Sequence, residues 1–319
     1  MKFYQVNVVM SKAPRQIKKS EPIAKLVFVI VFMNEFTNCT YMIDSHCHIH
    51  FQAFKDDYQE VISRCKEKNC AMIAVGTQKH TSQKAIDFAN KYENIFATVG
   101  LHPIHLFSTH VDEEESSFLS REEDFDYDFY AQLAKQKKVV AIGECGIDLF
   151  HLPANKPMAV VLKKQQQVFR KQIDLANDLK LPIVIHVRDG HSQTLSILNS
   201  APQIQGVVHC YSSNWENAKQ YLDKGLYIGF TGVITFPAKK INAQPHFDLL
   251  EVVKKCPLDR ILIETDAPYL APQAYRGKRC EPWMVEEVAK KIAEIKDKSC
   301  EQIISIATKN AQKLFTLKA

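Results

Sequence analysis

Eight short apolar runs, separated by stretches of helical periodicity, constrain this chain more than any other feature. They are Met42 to Ser45, Ala71 to Gly76, Ile95 to Leu101, Val139 to Glu144, Pro182 to Val187, Gly206 to His209, Leu226 to Thr231 and Ile261 to Glu264. Short runs without polar alternation suit strands buried on both faces, as in parallel sheets. Between them, Tyr58 to Lys68, Thr81 to Lys91, Tyr127 to Gln136, Leu162 to Leu179, Thr194 to Asn199, Glu216 to Lys224 and Phe247 to Lys255 carry helical spacing, and Val285 to Ile295 and Cys300 to Leu314 close the chain. This alternation predicts an α/β fold, a (β/α)8 TIM barrel over residues 42–319. Such barrels typically take ~250 residues, so 319 residues at 46% hydrophobic content supply one core. The longest insertion, Ser108 to Phe125, is acidic with interspersed aromatics and reads as a solvated loop.

Polar clusters stand at the ends of five of these runs. They are Asp44-Ser45-His46-Cys47-His48, Gly143-Glu144-Cys145-Gly146-Ile147-Asp148, His186-Val187-Arg188, His209-Cys210 and Glu264-Thr265-Asp266. The C-terminal strand ends of a barrel converge on one mouth. Residues two apart on a strand share a face, so His46 and His48 can bind one ion through imidazole nitrogen. Alone, such a pair is equally a core feature satisfied by backbone carbonyls. Glu144, flanked by Gly143 and Gly146, which let the backbone approach a ligand, can bridge two cations. His186 and His209 would add one nitrogen each, and Asp266 would bind metal and take a proton from an attacking water. Packing does not ordinarily place ligand types at five strand ends, so the set predicts a two-metal hydrolase.

Charge and cysteines narrow the class further. The net charge is +5, but Lys2, Lys12, Arg15, Lys18, Lys19 and Lys25 against Glu21 and Glu35 put +4 of it in residues 1–41 and leave +1 for the rest. Global charge therefore does not support tight duplex binding, and phosphate recognition falls to local groups and bound metal. Nine cysteines, an odd number without a CxxC pair, point to reduced thiols in a cytoplasmic protein.

Residues 1–41 form a separate basic and apolar extension. Its run Leu26 to Met33 follows a basic start in the manner of a signal peptide, but no A-x-A site follows and the run is shorter than the ~20 residues that cross a bilayer. Three readings stay open: a targeting or anchoring segment, an added arm, or an untranslated upstream stretch with Met42 as the working start. No stable membrane partner is expected.

The clusters together resemble the TatD family of metal-dependent deoxyribonucleases, within the amidohydrolase-like barrels. The resemblance runs from Met42 to about Leu317 and also includes Gly100-Leu101-His102-Pro103, His209-Cys210-Tyr211-Ser212, Glu264 to Leu270, Arg276-Gly277-Lys278-Arg279 and Asn310-Ala311. It implies His46 and His48 as ligands of a first ion, Glu144 as the shared carboxylate, His186 and His209 as ligands of a second, and Asp266 as the carboxylate that activates water. The chain departs from the usual pattern at His50, where an aspartate is common, at Ser213, where a glycine is common, and at Cys280, where an asparagine often stands. These positions bear on substrate preference.

The resulting expectation is two-metal phosphodiester hydrolysis, a 3′ to 5′ exonuclease on single-stranded DNA or RNA. Four imidazoles favour zinc, manganese or iron, whereas the resemblance implies magnesium. Candidate substrate contacts are Arg188, which can equally pair with Asp148, the basic loop of Arg276, Lys278 and Arg279, and the pocket-wall residues His102 and Tyr211. Tyr211 or Phe150 could stack an unpaired base or simply pack. Two alternatives use the same residues differently: hydrolysis of another ester or amide, for example D-aminoacyl-tRNA deacylation, and a catalytically silent binding module.

Overall fold

Each of the eight apolar runs forms a strand of one parallel sheet. In chain order the strands are β1 (Met42–Cys47), β2 (Cys70–Val75), β3 (Ile95–Val99), β4 (His110–Glu113), β5 (Ser116–Leu119), β6 (Val139–Asp148), β7 (Ile183–Arg188), β8 (Gly206–Val208), β9 (Tyr227–Phe230) and β10 (Ile261–Ile263). The parallel order is β1-β2-β3-β6-β7-β8-β9-β10, with β4 and β5 paired apart as an antiparallel hairpin. The helices are α1 (Tyr58–Glu67), α2 (Lys79–Lys91), α3 (Tyr127–Ala134), α4 (Met158–Leu179), α5 (His191–Ser200), α6 (Trp215–Asp223), α7 (Gln244–Lys255), α8 (Val285–Lys296) and α9 (Cys300–Phe315). The computed structural model describes residues 41–108, 110–113 and 116–317. The expectations for the N-terminal extension lie outside them, apart from Tyr41. Thr40–Ala319 forms one compact unit.

The sheet closes beside the site. The backbone N–H of Asp266 donates to His46 O at 2.9 Å, and that of His48 to Ala267 O at 2.6 Å. Side chains reinforce the seam: Asp44 Oδ1 accepts from Thr265 N at 2.9 Å, Asp44 Oδ2 from Thr265 Oγ1 at 2.6 Å, and Ser45 Oγ donates to Ile263 O at 3.0 Å.

Two apolar clusters form the core. One joins the strands to the helices around them. The other gathers Ile43, Ile73, Ala141, Val184, Val207 and Leu262 with Ala311, Leu314 and Phe315 of α9. Two residues further along the same strand face, Val184 is followed by His186, Val207 by His209 and Leu262 by Glu264. The polar site is thus the next layer of the apolar stack.

Three expectations need correction. β6 does not end at Glu144 but runs on to Asp148, with a register shift between Ile142 and Cys145 that sets Glu144 on a bulge. Similarly, β7 runs one residue past the expected Val187, to Arg188. The segment Ser108 to Phe125 holds the β4–β5 hairpin rather than loop alone. Among the described residues no helix is long and apolar enough to cross a membrane.

Candidate metal centre

Glu144 stands at the middle of the site, almost fully buried, with different neighbours at its two oxygens. Oε2 lies 3.4 Å from His46 Nε2, whereas Oε1 lies 2.7 Å from His209 Nε2, 2.9 Å from His186 Nδ1 and 3.2 Å from His102 Nε2. Asp266 Oδ1 is 3.3 Å from His48 Nε2 and 3.6 Å from His46 Nε2. The six residues singled out in the sequence are therefore one contiguous cluster.

Neighbours outside this cluster orient it. His48 Nδ1 meets Val75 O at 2.8 Å, which fixes the proton there and leaves Nε2 with its lone pair toward Asp266. His186 Nε2 meets Asp148 Oδ2 at 3.1 Å and thereby turns Nδ1 toward Glu144. The same Asp148 carboxylate holds His151 Nδ1 at 2.8 Å. His102 behaves differently, because its Nδ1 accepts from Ile104 N at 3.2 Å. A neutral imidazole then carries its proton on Nε2, which makes His102 a hydrogen-bond donor to Glu144.

Buried, unpartnered nitrogens indicate what the cluster is built to hold. Both ring nitrogens of His46 and Nδ1 of His209 are buried without a hydrogen-bond partner. Although His46 Nε2 is within 4 Å of two carboxylates, it hydrogen-bonds neither. An unsatisfied buried polar group costs ~1–3 kcal/mol, and nitrogens and oxygens that face one another without bonding suit cations placed between them. Ligand atoms of His46, His48 and Asp266, of His102, Glu144 and His186, and of His46, His209 and Glu264 fall into groups within 4.8 Å. His102 is engaged as a donor, and Glu264 accepts from Cys210 N at 2.5 Å and from Ser45 Oγ at 3.2 Å. The residues that could hold divalent metal are thus His46, His48, Asp266, Glu144, His186 and His209.

The charges are mutually supporting. Burial pushes the Glu144 carboxyl up, but His209, His102 and His46 outweigh it and hold the group well below its ordinary range. Burial draws His209 down, and Glu144 with Glu264 reverses this and raises it well above its ordinary value. Asp266 is lowered against the same burial effect by His48, His46 and His209. Both carboxylates are therefore ionised at neutral pH.

The secondary candidates separate. Arg188 does not pair with Asp148; its guanidinium lies 4.5 Å over the Phe150 ring, and Phe150 is 56% exposed. Tyr211 is buried, and its hydroxyl donates to Asn214 O at 2.6 Å, which leaves it no face for a base. Arg279 is committed to Asp57, with Nη1 donating to Oδ1 at 2.9 Å. Arg276 lies 4.4 Å over Phe236. Glu264, part of a recognised motif but given no role from sequence, has Oε1 3.6 Å from His209 Nδ1, an ion-pair distance without a hydrogen bond. Its only signal was its place at the end of an apolar run.

A family model described as "TatD related DNase" matches residues 43–316. The chain belongs to the TatD family. It is 36% identical over 280 residues to "Uncharacterized metal-dependent hydrolase YabD" of Bacillus subtilis, covering 86% of this chain and 99% of that one. It is also 32% identical to "3'-5' ssDNA/RNA exonuclease TatD" of Cronobacter sakazakii, over 86% and 97% of the two chains. Among solved structures, the TatD homologue YjjV of Escherichia coli K12 superposes with a TM-score of 0.73 at 26% identity, over 88% and 100% of the two chains. As a TatD-family protein the chain is a metal-dependent hydrolase on a TIM barrel.

Proposed function

We propose that this TatD-family hydrolase removes nucleotides from the 3′ end of single-stranded DNA or RNA by a two-metal phosphodiester cleavage. The observation that carries the reading is the double-sided environment of Glu144, with His46 at one oxygen and His186 and His209 at the other. His46, His48 and Asp266 with Glu144 Oε2 would hold one ion, and His186 and His209 with Oε1 the second. Bound there, divalent ions would supply Lewis-acid polarisation of the phosphodiester and lower the pKa of the attacking water.

The side chains do the rest. The Asp266 side chain is 17% exposed against 4% for Glu144, so it is the carboxylate that an entering water can reach. It takes the water's proton, and its ionised state suits that task. His102 holds Glu144 in place by donation, and Asp148 holds His186. The relatives from Cronobacter sakazakii and Citrobacter koseri named "3'-5' ssDNA/RNA exonuclease TatD" support the substrate and the polarity. No disulfide joins the eight described cysteines, which suits a reducing cytoplasm.

A substrate panel tests the reading. Single-stranded DNA, RNA, duplex DNA and D-aminoacyl-tRNA are each offered with magnesium, manganese or zinc. Release of mononucleotides from single strands, blocked by a 3′-phosphorothioate end, is the expected result. Release of an amino acid with no nucleotide would replace it with a deacylase, and no turnover on any substrate despite bound metal would favour a binding module.

A further inference from the structure

A cleft of about 1220 Å³ opens on the His48 side of the centre. Its inner end is formed by Phe51, stacked on His48 with ring centroids 4.3 Å apart, and by Tyr269, 6.4 Å from the same ring. One wall is the start of α2 and the other the loop of Arg276 to Arg279. Single drug-sized ligands occupy pockets of ~300–1,000 Å³, so this cleft has room for more than one nucleotide.

Its lining is basic: Lys79, Lys84, Arg121, Arg276, Lys278 and Arg279 face only Glu122 and Glu123. Lys79 is bound to Asp126 and Arg279 to Asp57. Lys84, Arg121 and Lys278 form no ion pair among the described residues. A second observation is independent of this charge. His50 lines the cleft at 4% exposure, packed on Phe51 and Phe88, and neither of its ring nitrogens has a hydrogen-bond partner. His105, at 6% exposure, also lines the cleft with an unpartnered Nδ1. An imidazole carries at least one ring N–H in either protonation state, so the unpartnered His50 ring has a hydrogen to donate into the cleft. Such donors beside unpaired ammonium and guanidinium groups suit a phosphodiester flanked by sugars.

We infer that this cleft holds the second phosphodiester of a strand whose first phosphodiester lies on the metal centre, with Lys84, Arg121 and Lys278 around that phosphate and His50 donating to it. The inference rests on the nuclease reading above. It makes the Michaelis constant depend on strand length beyond the bond that is cut.

The test compares the oligonucleotide (dT)8 with thymidine 5′-(p-nitrophenyl phosphate), which has one phosphodiester and cannot reach the cleft. In Lys84→Gln/Arg121→Gln and, separately, His50→Phe, KM for (dT)8 should rise about tenfold with little change in kcat. The ratio of (dT)8 to single-bond kcat/KM should fall by the same factor. The log–log salt slope of (dT)8 binding should flatten by ~0.7 for each phosphate contact removed. A parallel fall on both substrates, unchanged (dT)8 kinetics, or equal competition by polyglutamate would overturn the inference. Binding of (dT)8 to Asp266→Asn, with and without the cleft substitutions, separates the two readings. Weakened binding in the cleft variants while the native protein cuts no nucleic acid would sink the nuclease reading and keep the cleft. Cleavage with unaltered binding would do the reverse.

Discussion

Glu144 is buried and Asp266 half-buried, and these surroundings suit the different tasks proposed for them. Asp266→Asn keeps the volume and removes the base, so turnover should fall at least ~100-fold with the thermal midpoint preserved; wild-type turnover would refute its role. Glu144→Ala deletes the carboxylate between two sets of histidines, so metal content by elemental analysis should drop below that of the native protein. A different residue shows how burial couples to pH. His105 titrates at about 3 in the fold because burial, and next the nearby His102, disfavour its charge. The unfolded chain takes up that proton near pH ~6.5. Between these values the unfolded state binds more protons, so stability is lost as pH falls from about 6.5 toward 3, by up to ~1.4 kcal/mol per pH unit. His105→Gln should lack this contribution, and urea titrations from pH 7 to 4 should show the native and variant curves converging; a constant gap would contradict it. The six clustered residues were legible in the sequence because each extends an apolar run onto the mouth. Asp44 and Glu264 were not, since Asp44 meets Thr265 across 221 positions of chain and that partnership exists only once the barrel closes.

At the scale of elements, β6 is the one whose limits matter most to the site. It is ten residues long, and its bulge turns Glu144 into the barrel where regular alternation would not. Gly143 and Gly146 make this feasible, with φ of +132° and +153°. A Cβ on Gly146 would stand 2.0 Å from His186 O. Gly146→Ala should therefore cost about 2 kcal/mol or more through strain and a shifted β7, read as a fall of roughly 4–8 °C in Tm; a melt unchanged within 1 °C or so would show that the backbone relaxes freely. Gly229→Ala acts by another route, placing a Cβ 2.5 Å from both Glu264 oxygens, and should reduce metal retention by releasing His209. Strand existence was legible from apolar runs, whereas the length of β6 was not, because Glu144, Gly146 and Asp148 interrupt the apolar pattern although Gly146 and Asp148 still pair with β7. The hairpin of β4 and β5 was missed for a related reason: its acidic sequence, His110-Val111-Asp112-Glu113, has no Asn-Gly or similar turn signal to mark it.

For the whole molecule, the distribution of charge decides more than its total. The strand pairing that begins the barrel starts at Met42, opposite Cys70. We propose that residues 42–319 are the complete catalytic domain, so a chain starting at Met42 should fold with the Tm and activity of the full chain; loss of folding would show that the preceding residues pack on the barrel. Substrate affinity then rests on a body of net charge +1 with six basic residues lining the cleft. Each neutralised phosphate of a single strand contributes about −0.7 to the log–log salt slope, so a few contacts predict a slope of roughly −1 to −3. Arg276→Glu with Lys278→Glu should raise KM for single-stranded DNA and flatten this slope, with metal content unchanged since neither supplies a ligand atom to the centre. Arg279 is the wrong member of that loop to reverse, because its carboxylate partner Asp57 would then face a like charge and the loop itself would move. A slope near −6 in the native protein would mean that about eight or more phosphates are held, and the strand would have to run across a far larger surface than the cleft beside His48.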